Sequence, residues 1–173
     1  MVERPNRRRP DGNVEEMMKD ENWYELVVGD RSRSGGQWDI WEATYGPVGA
    51  NGYPKPIWDK RTGTIDKDVA AYWKAHYDLR HTLEANWATL GPKLAGKLHI
   101  YTGDMDSFYL NNAAHMMAAF LEKTAYPPYG GEVVFQPLAP HCWGPRGPDL
   151  HQKIAAHVEK MAPKGADLKS WRY

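Results

Sequence analysis

Lys97-Leu98-His99-Ile100-Tyr101-Thr102-Gly103-Asp104-Met105-Asp106 is the stretch on which the reading of the fold turns. A short apolar run ends in a glycine and two aspartates, the pattern of a strand that delivers an acidic loop at its carboxyl end. A helix is predicted next, from about Ser107 to Lys123. Pro127, Pro128, Gly130 and Gly131 then mark a loop, and Glu132-Val133-Val134-Phe135-Gln136 reads as a second strand. Beyond the Pro-rich stretch 137–148 a last helix is predicted from about Asp149 to Met161. Strand, helix, strand, helix is a βαβα unit, so the two strands are expected to lie parallel with a right-handed crossover. The expected class is α/β, few parallel strands flanked by helices. Parallel sheets are normally larger and covered on both faces, and Pro56-Ile57-Trp58 is only a weak third candidate, so the sheet reads as incomplete.

Working outward, residues 13–95 read as a mainly helical, cap-like part of the same domain. A helix is expected from Asn13 to about Val28, stopped by Gly29, and another over Gly35 to Tyr45, with Trp38, Trp41 and Tyr45 on one stripe. Gly46-Pro47, Gly49, Asn51-Gly52, Pro54 and Pro56 enforce an ordered loop. Asp66 is placed to cap a helix carrying Val69, Trp73 and Tyr77, and a further helix is expected over Leu79 to Leu94. Residues 1–12, rich in Arg and Pro and ending in the turn pair Asp11-Gly12, read as a flexible, solvated lead-in, and 163–173 as a tail.

The 173 residues suit one domain, 13–173. Lys plus Arg number 22 and so do Asp plus Glu, a balance that argues against nucleic acid or an anionic membrane surface as partner. The single cysteine, Cys142, can form neither an intrachain disulfide nor a multi-cysteine zinc site. No run approaches the ~20 apolar residues of a membrane span. Arg4, Arg7, Arg8 and Arg9 stand at the start without the apolar core of a signal peptide, so the default address is cytoplasmic. Eight Trp and ten Tyr against three Phe form an amphipathic aromatic set suited to clefts as well as cores.

Both strand ends carry reactive residues. The first delivers Asp104 and Asp106, the second Pro140-His141-Cys142-Trp143, and in such sheets the reactive groups collect at the carboxyl ends of the strands. His141 is the expected general base and Asp106 its orienting acid, two members of a nucleophilic triad in the order that α/β-hydrolases use. With parallel strands side by side, a contact of about 2.7 to 3.2 Å between them is reachable. Asp104 is expected to turn toward the following helix or solvent, as a cap. His99, His115, His151 and His157 read as structural or surface residues. Cys142 is adjacent to His141, so the two side chains should diverge. No G-x-S-x-G elbow is present. The nearest string is Ser32-Arg33-Ser34-Gly35-Gly36, which makes Ser34 a weak candidate nucleophile. The Asp-x-Asp pair lacks the Gly and Glu of a calcium loop, and neither metal nor cofactor is assigned.

From about Asp20 onward the chain resembles the C-terminal part of a family of bacterial putative esterases of the α/β-hydrolase superfamily, akin to enterochelin-esterase-like proteins. The resemblance rests on Gly36-Gln37-Trp38-Asp39-Ile40-Trp41, Gly52-Tyr53-Pro54-Lys55-Pro56-Ile57-Trp58-Asp59-Lys60-Arg61-Thr62-Gly63, Ile100-Tyr101-Thr102-Gly103-Asp104-Met105-Asp106, Tyr129-Gly130-Gly131-Glu132, His141-Cys142-Trp143 and Ala162-Pro163-Lys164-Gly165-Ala166-Asp167. It implies a carboxylic-ester hydrolase acting on a small-molecule ester, with Asp106 and His141 at the acid and base positions. It also implies a serine elbow on an upstream half that has no counterpart here, and an exported enzyme. The Trp-rich stretch falls where such enzymes place insertions over the cleft, which makes Trp38, Trp41, Trp58 and Trp143 candidate substrate-binding residues. The alternative is a non-catalytic binding or assembly module that uses the same half-sheet, forming a homo-oligomer through its exposed strand edge.

Overall fold

The structure, a computed structural model, describes residues 3–170. The first two residues of the expected lead-in and the last three of the tail lie outside the described residues. The fold is mixed α/β, with six helices and two small sheets among the described residues. Its order is β1 (Pro5–Arg8), β2 (Val14–Met17), α1 (Met18–Val28), α2 (Gln37–Tyr45), α3 (Lys67–Tyr77), α4 (Leu79–Leu94), β3 (His99–Gly103), α5 (Asn111–Leu121), β4 (Glu132–Gln136) and α6 (Pro148–Met161). No helix among them is long and apolar enough to cross a membrane.

The βαβα unit forms as the sequence suggests. β3 and β4 are parallel neighbours in the register His99 to Glu132 through Gly103 to Gln136, with α5 between them in the chain. Pro56-Ile57-Trp58 is not a third strand; Trp58 makes only an isolated bridge to Ile65. The helix expected from Ser107 begins later, at Asn111, because residues 106–110 are spent on a turn knotted by the Asp106 side chain. Asp66 does cap α3, accepting from the backbone N–H of Asp68 and Val69 at 2.9 and 3.1 Å.

The amino-terminal expectation is corrected. Residues 5–8 are not a lead-in but β1, paired antiparallel with β2, and Val14–Met17 belongs to that hairpin instead of the helix expected from Asn13. The turn pair Asp11-Gly12 closes the hairpin. Gly12 takes a left-handed φ of 87°, and Asp11 Oδ1 accepts from Asn13 N at 2.9 Å. An Arg- and Pro-rich strand carries no apolar alternation, so its signal was absent.

The core is small: Val69, Trp87, Ala118, Leu121 and Ala139 are its buried apolar residues. Trp87 of α4 stands edge-on to Phe120 of α5 at 5.6 Å, and its Nε1 donates to Pro127 O at 2.9 Å. The helical part before β3 is held differently, by buried charge. Lys60 Nζ, on the loop after α2, donates to Glu25 of α1 and to Asp39 of α2. Glu25 Oε1 also accepts from Trp38 N at 2.8 Å, capping α2, and Gly36 leaves room for it, since a Cβ there would collide with that carboxylate. Glu42 accepts from Ser32 Oγ at 2.9 Å and Ile57 N at 3.2 Å. Glu25, Asp39 and Glu42 are almost wholly buried. Burial works to raise the Asp39 carboxyl, but hydrogen bonds from Lys60 and Ser34 outweigh it and hold the group below the usual range. For Glu42 burial dominates and pushes the carboxyl up.

The two shifts act in opposite pH windows. A raised folded-state carboxyl costs stability once pH climbs above the unfolded value of 4.5, because the folded protein must ionise it under cover. Glu42→Gln is therefore expected to raise the thermal midpoint near neutral pH, with the gain shrinking as pH falls toward that value. Lys60→Met leaves Glu25 and Asp39 buried without their cation, and is expected to lower stability by about 3–5 kcal/mol in a denaturant titration.

Candidate active site

Because β3 and β4 are parallel and in register, the loops leaving Gly103 and Gln136 start side by side. Two backbone bonds sew them together, Asp104 N to Gln136 O at 2.9 Å and Met105 N to Ala139 O at 3.0 Å. Gly103 is required for that closeness, since a Cβ there would collide with the carbonyl oxygens of Ala139 and Pro140. The second loop is thereby pressed onto the end of β3, and His141 arrives over Asp106.

Asp106 is buried, at 4 % exposure, and both its oxygens are engaged. Oδ1 accepts from the backbone N–H of Phe108 at 2.8 Å and of Leu110 at 3.2 Å, which fixes the turn before α5. Oδ2 stands 2.8 Å from His141 Nδ1. An ionised carboxylate can only accept, so the neutral imidazole paired with it carries its proton on Nδ1 and keeps a basic Nε2. His141 itself is half-exposed, and Phe108 packs its ring edge-on at 5.0 Å. Cys142 is exposed and takes a left-handed φ of 61°.

Asp104 behaves differently. Its Oδ1 lies 2.6 Å from His115 Nε2 on α5, and Asn111 Nδ2 donates to its backbone oxygen at 3.0 Å. The hydrogen bond from His115 is the main reason the Asp104 carboxyl sits below its usual range. His115 stacks flat on Phe135 of β4 at 3.9 Å, so this second Asp–His pair ties α5 to the sheet. Among the described residues no three His, Cys, Asp or Glu side chains gather as a metal ion would need.

A residue the sequence did not single out completes the support. Arg8 of β1 reaches across to the acidic turn: its Nε donates to Asp106 O at 3.1 Å, and one terminal nitrogen to Asn111 Oδ1 at 3.1 Å. Its backbone N–H donates to Ser107 O at 2.9 Å, and the guanidinium lies 4.5 Å over the Tyr109 ring. Nothing in the local sequence distinguishes Arg8 from Arg4, Arg7 or Arg9.

The other candidates are not brought to His141. Ser34 sits in the loop before α2, where its Oγ accepts from Gly36 N at 3.0 Å and its own N–H donates to Asp39 Oδ2 at 2.9 Å. Among the described residues no hydrogen bond joins it to His141. Trp38 packs edge-on against Trp41 at 5.0 Å and Trp58 at 5.8 Å, a cluster braced by Trp58 Nε1 donating to the buried Asn22 Oδ1 at 3.2 Å. Trp38 and Trp58 line a cavity whose wall includes Phe108; Trp41 and the half-buried Trp143 do not. Comparison with family models, with curated proteins and with solved structures finds no match to this chain.

Gly103→Ala should force the 139–141 loop away from β3 and cost about 1–3 kcal/mol. In 15N spectra of the His141 ring, the Nδ1-protonated pattern of the parent protein should be lost in that variant. Arg8→Ala should lower stability by about 1–3 kcal/mol, and His141 line broadening would report the loosened turn.

Proposed function

We propose that this chain carries the acid and base of a serine-type carboxylic-ester hydrolase with an α/β-hydrolase architecture. One observation carries the reading: the buried Asp106 and the half-exposed His141, on neighbouring loops at the carboxyl ends of two parallel strands, are 2.8 Å apart with Nε2 left free to take a proton. In this reading His141 Nε2 removes the proton from the nucleophile as it attacks the ester carbonyl and returns it to the leaving alcohol. Asp106 holds the tautomer and compensates the imidazolium. Ser34 is engaged at the start of α2, and in this reading the nucleophile serine is supplied from elsewhere, as the resemblance implies. Without it the pair still activates water toward an activated ester.

A second reading, an assembly module, is favoured by one specific observation. β3 and β4 each have an unpaired edge among the described residues and are half-exposed, whereas parallel strands are ordinarily covered on both faces. Under it the chain self-associates through this sheet. Sedimentation at micromolar concentration would then show a species heavier than one chain, and a clean monomer would exclude it.

Hydrolysis of p-nitrophenyl acetate tests the first reading. His141→Ala is expected to remove a His-dependent rate worth on the order of 10²-fold or more, and Asp106→Asn, which leaves the imidazole in the wrong tautomer, most of the same. A rate that His141→Ala leaves unchanged overturns the assignment.

A further inference from the structure

Phe108, whose ring stands edge-on to His141, also forms part of the wall of a cavity of about 800 Å³ between the β-hairpin, α1 and the tryptophan cluster. Asn6, Asn22, Trp38, Trp58 and Tyr109 are further parts of that wall. The volume is within the range of a small-molecule site. Two side chains of that wall hold polar atoms with almost no exposed surface and no hydrogen-bond partner among the described residues: Asn6 Oδ1 and Trp38 Nε1. The orientation of the Asn6 amide is set by its partner. Its Nδ2 donates to Glu16 Oε2 at 2.7 Å, and a carboxylate can only accept, so the oxygen is the end left over. Asn6 is 6 % exposed, and a buried polar group without a partner costs about 1–3 kcal/mol. Such groups are rare in folded proteins and call for an explanation.

The chemistry of the wall limits the occupant. Arg4, Lys19 and Glu3 also stand in the wall, with Lys19 paired to Glu3, but at the unpaired atoms an anion would face the Asn6 carbonyl oxygen with the Glu16 carboxylate behind it, and a purely apolar guest would leave both atoms unmet. A hydroxyl both donates and accepts, and the flat C–H face of a sugar ring suits an indole surface. We propose that this cavity is a carbohydrate subsite, in which a neutral sugar ring lies against Trp38 and Trp58 while its hydroxyls donate to Asn6 Oδ1 and accept from Trp38 Nε1, after a small rotation of the two side chains. The binding stands by itself. That the sugar is the alcohol or acyl part of the ester cleaved at His141 rests on the hydrolase reading.

Calorimetric titration of the parent protein with cellobiose, xylobiose and maltose tests the subsite without turnover. Saturable binding of at least one disaccharide is expected in the millimolar range or tighter. Trp38→Phe keeps a ring in place but removes the indole N–H, and should weaken that binding about tenfold. Absence of saturable heat with all three sugars overturns the proposal. So does equal affinity in a folded Trp38→Phe protein, and so does binding of catechol in the absence of sugar binding, which would mark a phenolic site instead. Sugar binding without any His141-dependent ester hydrolysis would refute the hydrolase reading and leave the subsite standing; the reverse result would refute the subsite alone.

Discussion

The carboxylate of Asp106 is the point on which the candidate site of this molecule depends. A buried carboxylate has to fill its acceptor sites, and this one divides them between two tasks. One oxygen takes two backbone N–H groups and so shapes the turn from β3 into α5; the other takes the imidazole of His141. The local fold and the reactive pair are therefore one arrangement. The oxygen that shapes the turn and the oxygen that meets the imidazole are two ends of the same side chain.

Three supports converge on the turn that carries that carboxylate. Gly103 allows the loop after β4 to lie against the end of β3, and the parallel register sets the two loops at the same level. Arg8, almost a hundred residues earlier, binds the carbonyls and the asparagine around the turn. Each removes a freedom that the His141 loop would otherwise have. Orientation of a base relative to its acid is where much of general-base catalysis comes from, so these contacts belong to the proposed function as well as to the fold.

The helical part that holds α1 and α2 is built on another principle. Around Lys60, three buried carboxylates replace the apolar core that α1 and α2 lack, and each accepts backbone or hydroxyl hydrogen bonds as well. Buried ion networks contribute less to net stability than to specifying one arrangement, and here the arrangement fixed is the tryptophan cluster. Trp38 follows the α2 cap that Glu25 makes, and Trp58 lies two residues from Lys60. The charge network thus sets the wall that faces the cavity near Phe108.

The βαβα unit, the parallel pair, the second strand and the pairing of Asp106 with His141 were legible in the sequence, because each follows from short-range pattern plus the rule that reactive groups gather at strand ends. Asp66 as a helix cap was legible for the same reason. The β-hairpin at the amino terminus was not, since β1 has neither apolar alternation nor aromatic residues and is recognisable only by its partners. Nor was the role of Arg8, one of four nearby arginines that differ in what they touch. Glu25, Asp39, Glu42 and Lys60 read as ordinary surface charges at helical and loop positions, and only folding brings them together out of water. Sequence by itself determined which residues could do acid–base chemistry and on which loops they would emerge. Tertiary structure alone decided that Arg8 braces the acidic turn and which charges are buried, because those outcomes depend on contacts between residues tens of positions apart, where no local periodicity records the distance.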